Sequence, residues 1–285
     1  MSSLTLNLRG DRAARTAGRI DMSGVVPDIL LPLPIVELNR LTITVGAQVY
    51  ELHELFDIEE GTRDRLILRG DLSCADFVGK SMKSGSLVVE GTVGHGLARQ
   101  MRGGHLLVHG NAGDHVGSLM RAGQVEIRGD VGDYCAGAMA GERRGLCGGT
   151  LTVTGGTGRF VGFRMRRGLV IIQGAPREGC GSSMIAGTIV VGGAPPSPVG
   201  IGMRRGTLWC MTQDTPGLHP GFTNAEQIRL SYLPLLSGEV RRYAPELATR
   251  WQTGTPLYRS LGDRAAGGLG EVLWLIPSAA PESGW

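Results

Sequence analysis

The sequence predicts an all-β protein: a right-handed parallel β-helix of about seven 19-residue coils with a cap at each end. Three observations carry this. A methionine recurs at Met82, Met101, Met120, Met139, Met165, Met184 and Met203, at intervals of 19 residues except one of 26. A short run with alternating apolar residues precedes each of these from Met101 on, and glycines stand at fixed corners. A fixed period of this size means that one structural unit is stacked on itself. Such stacks present extended surfaces more often than catalytic clefts.

Residues 1–64 read as an N-terminal cap segment, with strands expected at 4–8, 41–45 and 48–52 and a proline-broken run, DILLPLPIVEL, between them. The coils occupy 65–210. Each opens on a five-residue run whose apolar pair, Leu87/Val89, Leu106/Val108, Val125/Ile127, Leu151/Val153, Val170/Ile172 or Ile189/Val191, recurs in place. Period-two alternation puts both members on one face of a strand. A glycine ends each run, and another follows three residues after the methionine except at Met139, where Gly149 follows the insertion, as a sharp turn with φ > 0 requires. Strands pairing at ~4.8 Å would give a rod about 34 Å long. The right hand follows from the crossover rule for parallel strands.

The methionines are expected to point inward as flexible core filler rather than to form a metal or redox ladder. The 26-residue unit carries a seven-residue insertion around GERRGL. A helical reading fails because six or more glycines per 26 residues would each cost ~1 kcal/mol in a helix interior. A left-handed hexapeptide helix would require a period of 18. Residues 211–285 read as a C-terminal cap with an irregular tail and a helix, NAEQIRLSYLPLL, capped by Asn224 and interrupted at Pro234.

Composition narrows the function classes. The net charge of +3 is too small to imply nucleic acid, although only Lys80 and Lys83 among the 29 basic residues are lysine. Five cysteines without a C-x-x-C pair suit free, mostly buried thiols in a cytoplasmic protein. The N-terminus has no apolar signal core, and no apolar stretch approaches 18 residues, so neither export nor a membrane is expected.

In a solenoid, chemistry is sought down columns, where residues one period apart become neighbours. Glu90, His109, Arg128, Thr154, Gln173 and Gly192 form one outward column, whose acid, His and base should satisfy one another. Val88, Leu107, Glu126, Thr152, Ile171 and Val190 form another, aliphatic enough to suggest a partner. The column after the methionine reads Lys83, Arg102, Arg121, Arg166 and Arg204, reinforced by Arg167 and Arg205, with Arg143 and Arg144 in the insertion. Like charges at this spacing repel by nearly 1 kcal/mol per pair even in water, so the column is either a set of solvated turn residues splayed outward or the contact for an anionic partner. His95, His105, His109 and His115 cluster without a metal-ligand spacing, and no metal site or catalytic motif is expected on the chain.

The repeat I-x-V-x-G-x-x-G-x-x-x-G-x-x-M-x-x-G, after MSGVVPDIL and before PGLHPGF, resembles the C subunit of formylmethanofuran dehydrogenases. It is most similar to the C subunit of the formyltransferase/hydrolase complex of aerobic methylotrophs. The repeat alone also resembles the C-terminal β-helix of glutamate synthase, while the N-terminal segment favours the one-carbon family. Departures are local: Leu146-Cys147 where methionine is usual, and Arg177 and Pro196 where glycine is usual. The resemblance implies a non-catalytic scaffold that binds the A, B and D sister subunits. Those complexes pass formyl between tetrahydromethanopterin and methanofuran or methylofuran, and the bacterial form hydrolyses the formyl carrier to formate. No cofactor is then expected on this chain itself, and the polyglutamate tail of the furan carrier becomes the natural ligand of the basic column. A molybdenum or tungsten formylmethanofuran dehydrogenase subunit, or a glutamate synthase-like module, is the alternative.

Overall fold

The computed structural model describes residues 3–10 and 18–276; residues 1–2 and 11–17, where part of the signal-core reading falls, and the tail 277–285 lie outside the described residues. The strands are β1 (Leu4–Leu8), β2 (Ile20–Asp21), β3 (Thr42–Val45), β4 (Gln48–Glu51), β5 (Phe56–Glu59), β6 (Leu66–Arg69), β7 (Ala75–Asp76), β8 (Ser86–Glu90) and β9 (Arg102–Val108). They continue as β10 (Ala122–Ile127), β11 (Cys147–Val153), β12 (Arg167–Ile172), β13 (Thr188–Val191), β14 (Arg205–Cys210), β15 (Glu226–Ile228), β16 (Leu257–Gly262) and β17 (Leu269–Leu275). Short helices are α1 (Pro27–Leu30), α2 (Ile35–Arg40), α3 (Leu52–Leu55), α4 (Leu233–Tyr243) and α5 (Pro245–Ala248).

A 13-stranded sheet dominates, in the order β15-β16-β17-β14-β13-β12-β11-β10-β9-β8-β6-β1-β5. From β1 to β17 every pairing is parallel, and only the outer pairings β1–β5, β17–β16 and β16–β15 are antiparallel. Successive 19-residue units are bonded again beyond the sheet. Single parallel bridges join Leu72, Val93, Ala112, Val131, Thr157 and Pro176 in turn. A further row runs from Ala98 N to Val78 O, Gly117 N to Leu97 O and Ala136 N to Val116 O. Each unit is therefore hydrogen-bonded to its neighbours on several sides, which satisfies backbone groups that burial would otherwise orphan.

The core follows from the same spacing. In the coil from Leu87, the inward side chains are Leu87, Val89, Val93, Leu97 and Met101, all at most 2% exposed. The pattern repeats as Leu106, Val108, Ala112, Val116 and Met120, all buried. Met82, Met165, Met184 and Met203 are likewise fully buried.

Met139 departs from the expected ruler: it is only half-buried, and Leu146 fills its column, fully buried. The backbone fixes this register, because Arg121 N donates to Met101 O, Cys147 N to Met120 O and Arg166 N to Leu146 O. The extra residues thus bulge out before the column position rather than after it. Three of the free cysteines, Cys135, Cys180 and Cys210, sit in core columns. Burial pushes the Cys135 and Cys180 thiols up to about 12.

The termini extend the stack at both ends. Strand β1 adds parallel to β6 and is covered by antiparallel β5, while β17 adds parallel to β14. The helix in 211–285 starts later than expected, at Leu233, and Pro234 lies in its first turn rather than interrupting it. That turn needs no N–H from proline, and residues 226–228 are instead held as β15 by antiparallel pairing with β16. Helices α4 and α5 bury Val240, Leu247 and Ala248 in one cluster with Ile171, Val190, Trp209 and Trp251. The upper half of the aliphatic outward column is therefore covered by this chain itself. Its lower members, Val88 and Leu107, line an open groove beside Tyr243. No helix among the described residues is long and apolar enough to cross a membrane.

Candidate polyanion-binding edge

The basic column is built by the corner that follows each inward core residue. Because Met101 points in, the next residue along the extended chain points out, and its N–H is held by the core residue one coil back. The glycine two residues further on has φ of +83° at Gly104, +99° at Gly123 and +104° at Gly168, the left-handed region. Between them, Gly103 has no room for a Cβ, which would meet the Lys83 carbonyl oxygen. The corner repeats an outward position at the spacing of neighbouring strands, ~4.8 Å, and a cation fills five of the seven.

In space the column reads Lys83, Arg102, Arg121, Cys147, Arg166, Ile185 and Arg204. The five cations predicted from sequence are all exposed, as are Arg167 and Arg205. They form one run of three and then alternate with Cys147 and Ile185. Among the described residues, none of these five side chains has a carboxylate in ion-pair range. Other arginines are paired: Arg19 with Asp76, Arg69 with Glu90, Arg99 with Glu142 and Arg159 with Glu178. A carboxylate does approach the column's backbone: Asp28 of α1 accepts from the Lys83 N–H at 3.0 Å.

The Glu90, His109 and Arg128 column is held by contacts within the chain. Arg128 meets His109 at 3.3 Å and Glu126 at 3.3 Å, while Glu90 pairs with Arg69 rather than with His109. The histidines do not form one group: of the four, only His95 joins a ladder that sequence reading did not find. Asp76 accepts from His95 N, His95 Nδ1 from Asp114 N, Asp114 from Asp133 N, and Asp133 from Arg159 N, at 2.7–2.9 Å. A parallel series joins Thr92, Asn111 and Asp130 to the N–H groups of Asn111, Asp130 and Gly156. The signal was available as Asp, Asn or His at fixed offsets from the strand-ending glycine. Acceptance at Nδ1 leaves the proton of neutral His95 on Nε2. Among the described residues no group of three or more His, Cys, Asp and Glu could hold a metal ion.

The insertion is anchored to the stack. Glu142 accepts from Arg99 Nη2 at 2.6 Å, Ser118 Oγ at 2.8 Å and Met139 N at 3.2 Å. Burial would raise its pKa, but these donors win and hold it below the usual carboxylate range. Beside it, His115, Tyr134 and Phe160 stack at centroid distances of 5.0 and 5.2 Å. His115 Nδ1 is buried without a partner. Burial lowers the His115 pKa, with Asp114 and Glu142 acting weakly the other way.

Fold and edge together define a stacked-repeat protein with a mostly parallel sheet and an unpaired row of cations. No family model matches the sequence. A curated relative, the C subunit of the formyltransferase/hydrolase complex of Methylorubrum extorquens (strain AM1), is 36% identical over 93 residues, 33% of this chain and 34% of that protein's length. The sequence match thus spans about a third of that relative. The crystal structure of the M. extorquens formyltransferase/hydrolase complex, solved with methylofuran, contains a chain that superposes with a TM-score of 0.86. Identity is 34%, over 96% of this chain and 100% of that one. The chain belongs to the family of C subunits of the formyltransferase/hydrolase complex.

Proposed function

We propose that this chain is the non-catalytic scaffold subunit of a formyltransferase/hydrolase complex, bound to the A, B and D sister subunits. In this reading the coils are those of a right-handed parallel β-helix, with 1–64 and 211–285 as its caps. Formyl passes between tetrahydromethanopterin and a methylofuran-type carrier on the sister subunits, which also release formate. The exposed column Lys83, Arg102, Arg121, Arg166 and Arg204 contacts the carrier's polyglutamate tail or an acidic sister surface. The observation that carries the assignment is the superposition over the whole of a chain from a methylofuran-bound complex. The unpaired state of the column supports the polyanion contact, since like charges in series are relieved by a repeating anion.

Affinity capture of the tagged chain from its native host tests the assignment. It should retain formyltransferase and hydrolase subunits; retention of a molybdenum or tungsten oxidoreductase, or of amidotransferase domains, would contradict it. For the column, turnover of the complex is compared at two salt concentrations in wild type and in an Arg102→Ala/Arg121→Ala/Arg166→Ala variant. A weaker, less salt-sensitive variant is expected if the tail binds there. Loss of assembly would indicate a sister surface, and unchanged behaviour would remove the column from the account.

A further inference from the structure

The outward column of the sheet is roofed over only part of its length. Ile171, Val190 and Trp209, on β12 to β14, are fully buried under α4 and α5. In register with them, the column continues on β6, β8 and β9 as Ile67, Val88 and Leu107, and all three stay half-buried. A groove of about 350 Å³ lies over this stretch, lined by Ser86, Val88, Leu107 and Glu126 and bounded by Arg242 and Tyr243 in the last turn of α4. That boundary is fixed: Gln124 Nε2 on β10 donates to Tyr243 Oη at 2.9 Å. Arg242 lies 5.6 Å from the Tyr243 ring centroid, exposed and without an ion pair among the described residues.

We infer that this groove seats an amphipathic helix of a sister subunit, which continues the layer begun by α4 and α5. A strand does not fit the site. From β6 to β10 each strand is already hydrogen-bonded on both sides, so none can be added by backbone pairing. What is offered is a face of side chains, and the rest of the same column is covered by helices. The length agrees. The stretch from β6 to β10 measures ~14 Å at ~4.8 Å per strand, which about ten helical residues span at ~1.5 Å each. Helix α4 itself has 11 residues. Apolar residues of the incoming helix at i, i+3 or i+4 and i+7 would meet Ile67, Val88 and Leu107. A carboxylate on its flank would meet the unpaired Arg242. The inference rests on the scaffold reading above and names one contact through which the chain holds a sister subunit.

The test is reconstitution with the host's A, B and D sister subunits, using full-length chain that carries the photo-crosslinker p-benzoylphenylalanine in place of Leu107. Irradiation should join this position to one segment of a sister subunit, with apolar residues at helical spacing when mapped by mass spectrometry. In parallel, Val88→Lys/Leu107→Lys changes two outward side chains, so it should melt as wild type does and bind the sister subunits at least tenfold more weakly. Arg242→Glu should weaken binding several-fold. If the double variant melts lower, the crosslink still decides. A crosslink to an extended segment, to a second copy of this chain or to its own residues 277–285 would overturn the inference. So would an assembled complex in which position 107 forms no crosslink, or a stably folded double variant that binds with wild-type affinity. Sister subunits that fail to bind even the wild-type chain would overturn the scaffold reading with it.

Discussion

Thr157 stands in a core row otherwise made of Leu72, Val93, Ala112, Val131 and Pro176, and its hydroxyl is buried without a partner. A buried hydroxyl that lacks a hydrogen bond costs free energy that its apolar isostere does not. Thr157→Val should therefore raise stability by about 1 kcal/mol, read as a higher denaturant midpoint at unchanged slope. A lower midpoint would mean that the hydroxyl is satisfied. His115 Nδ1 is another buried orphan, as are Arg99 Nε, Ser182 Oγ and Trp209 Nε1, and the lowered His115 pKa sets a sign. The unfolded chain takes up a proton near pH 6.5, whereas the folded chain resists until its lower pKa is reached. Stability is therefore lost as pH falls below about 6.5 and levels off once the folded pKa is passed. His95, Asp114, Asp133 and Glu142 act on the same ring. His115→Phe, which keeps the ring stack on Tyr134, should lose less melting temperature between pH 7.5 and 5 than wild type does. Identical losses would place the acid sensitivity elsewhere.

The coil is the element whose design was legible in the sequence, because its core is local and periodic. Leu87/Val89 and the methionine mark three of the five inward positions directly, and the structure adds Val93 and Leu97 at spacings of four. What could not be read was the register within the irregular coil. Met139 and Leu146 both fit the period, and only the hydrogen bonds of Cys147 and Arg166 decide between them. Leu146→Ala should cost about 2–5 kcal/mol, as for other buried Leu truncations. Met139→Ala should cost less than about 1 kcal/mol. The reverse order would return Met139 to the core. The Asx and His ladder was hidden for a different reason. Its residues look like ordinary turn formers, and their role appears only when the next coil lies above them. The helix start was misplaced because Asn224 is a good cap in isolation, while pairing of β15 with β16 claims the residues that follow it. Of the candidate site, the five cations were found by their column.

At the scale of the molecule, a stack of parallel strands has two open ends and one long sheet, and each is handled by a different part of the chain. Antiparallel β5 and β16 cover the ends, which limits the unpaired edge that would invite aggregation. Helices α4 and α5 cover the sheet over Ile171 and Val190 but leave Val88 and Leu107 half-exposed. The uncovered sheet face and the unpaired basic edge give the molecule two unlike surfaces. That division suits a subunit whose work is to hold others. The decisive measurement is reconstitution of the host's A, B and D sister subunits with and without this chain, monitored by particle mass and by formyl transfer. The account predicts that omission lowers the assembled mass beyond this chain's own contribution and abolishes coupled turnover. It also predicts that adding the purified chain, inactive alone, restores both. Sister subunits that assemble and turn over equally well without it would contradict the scaffold role.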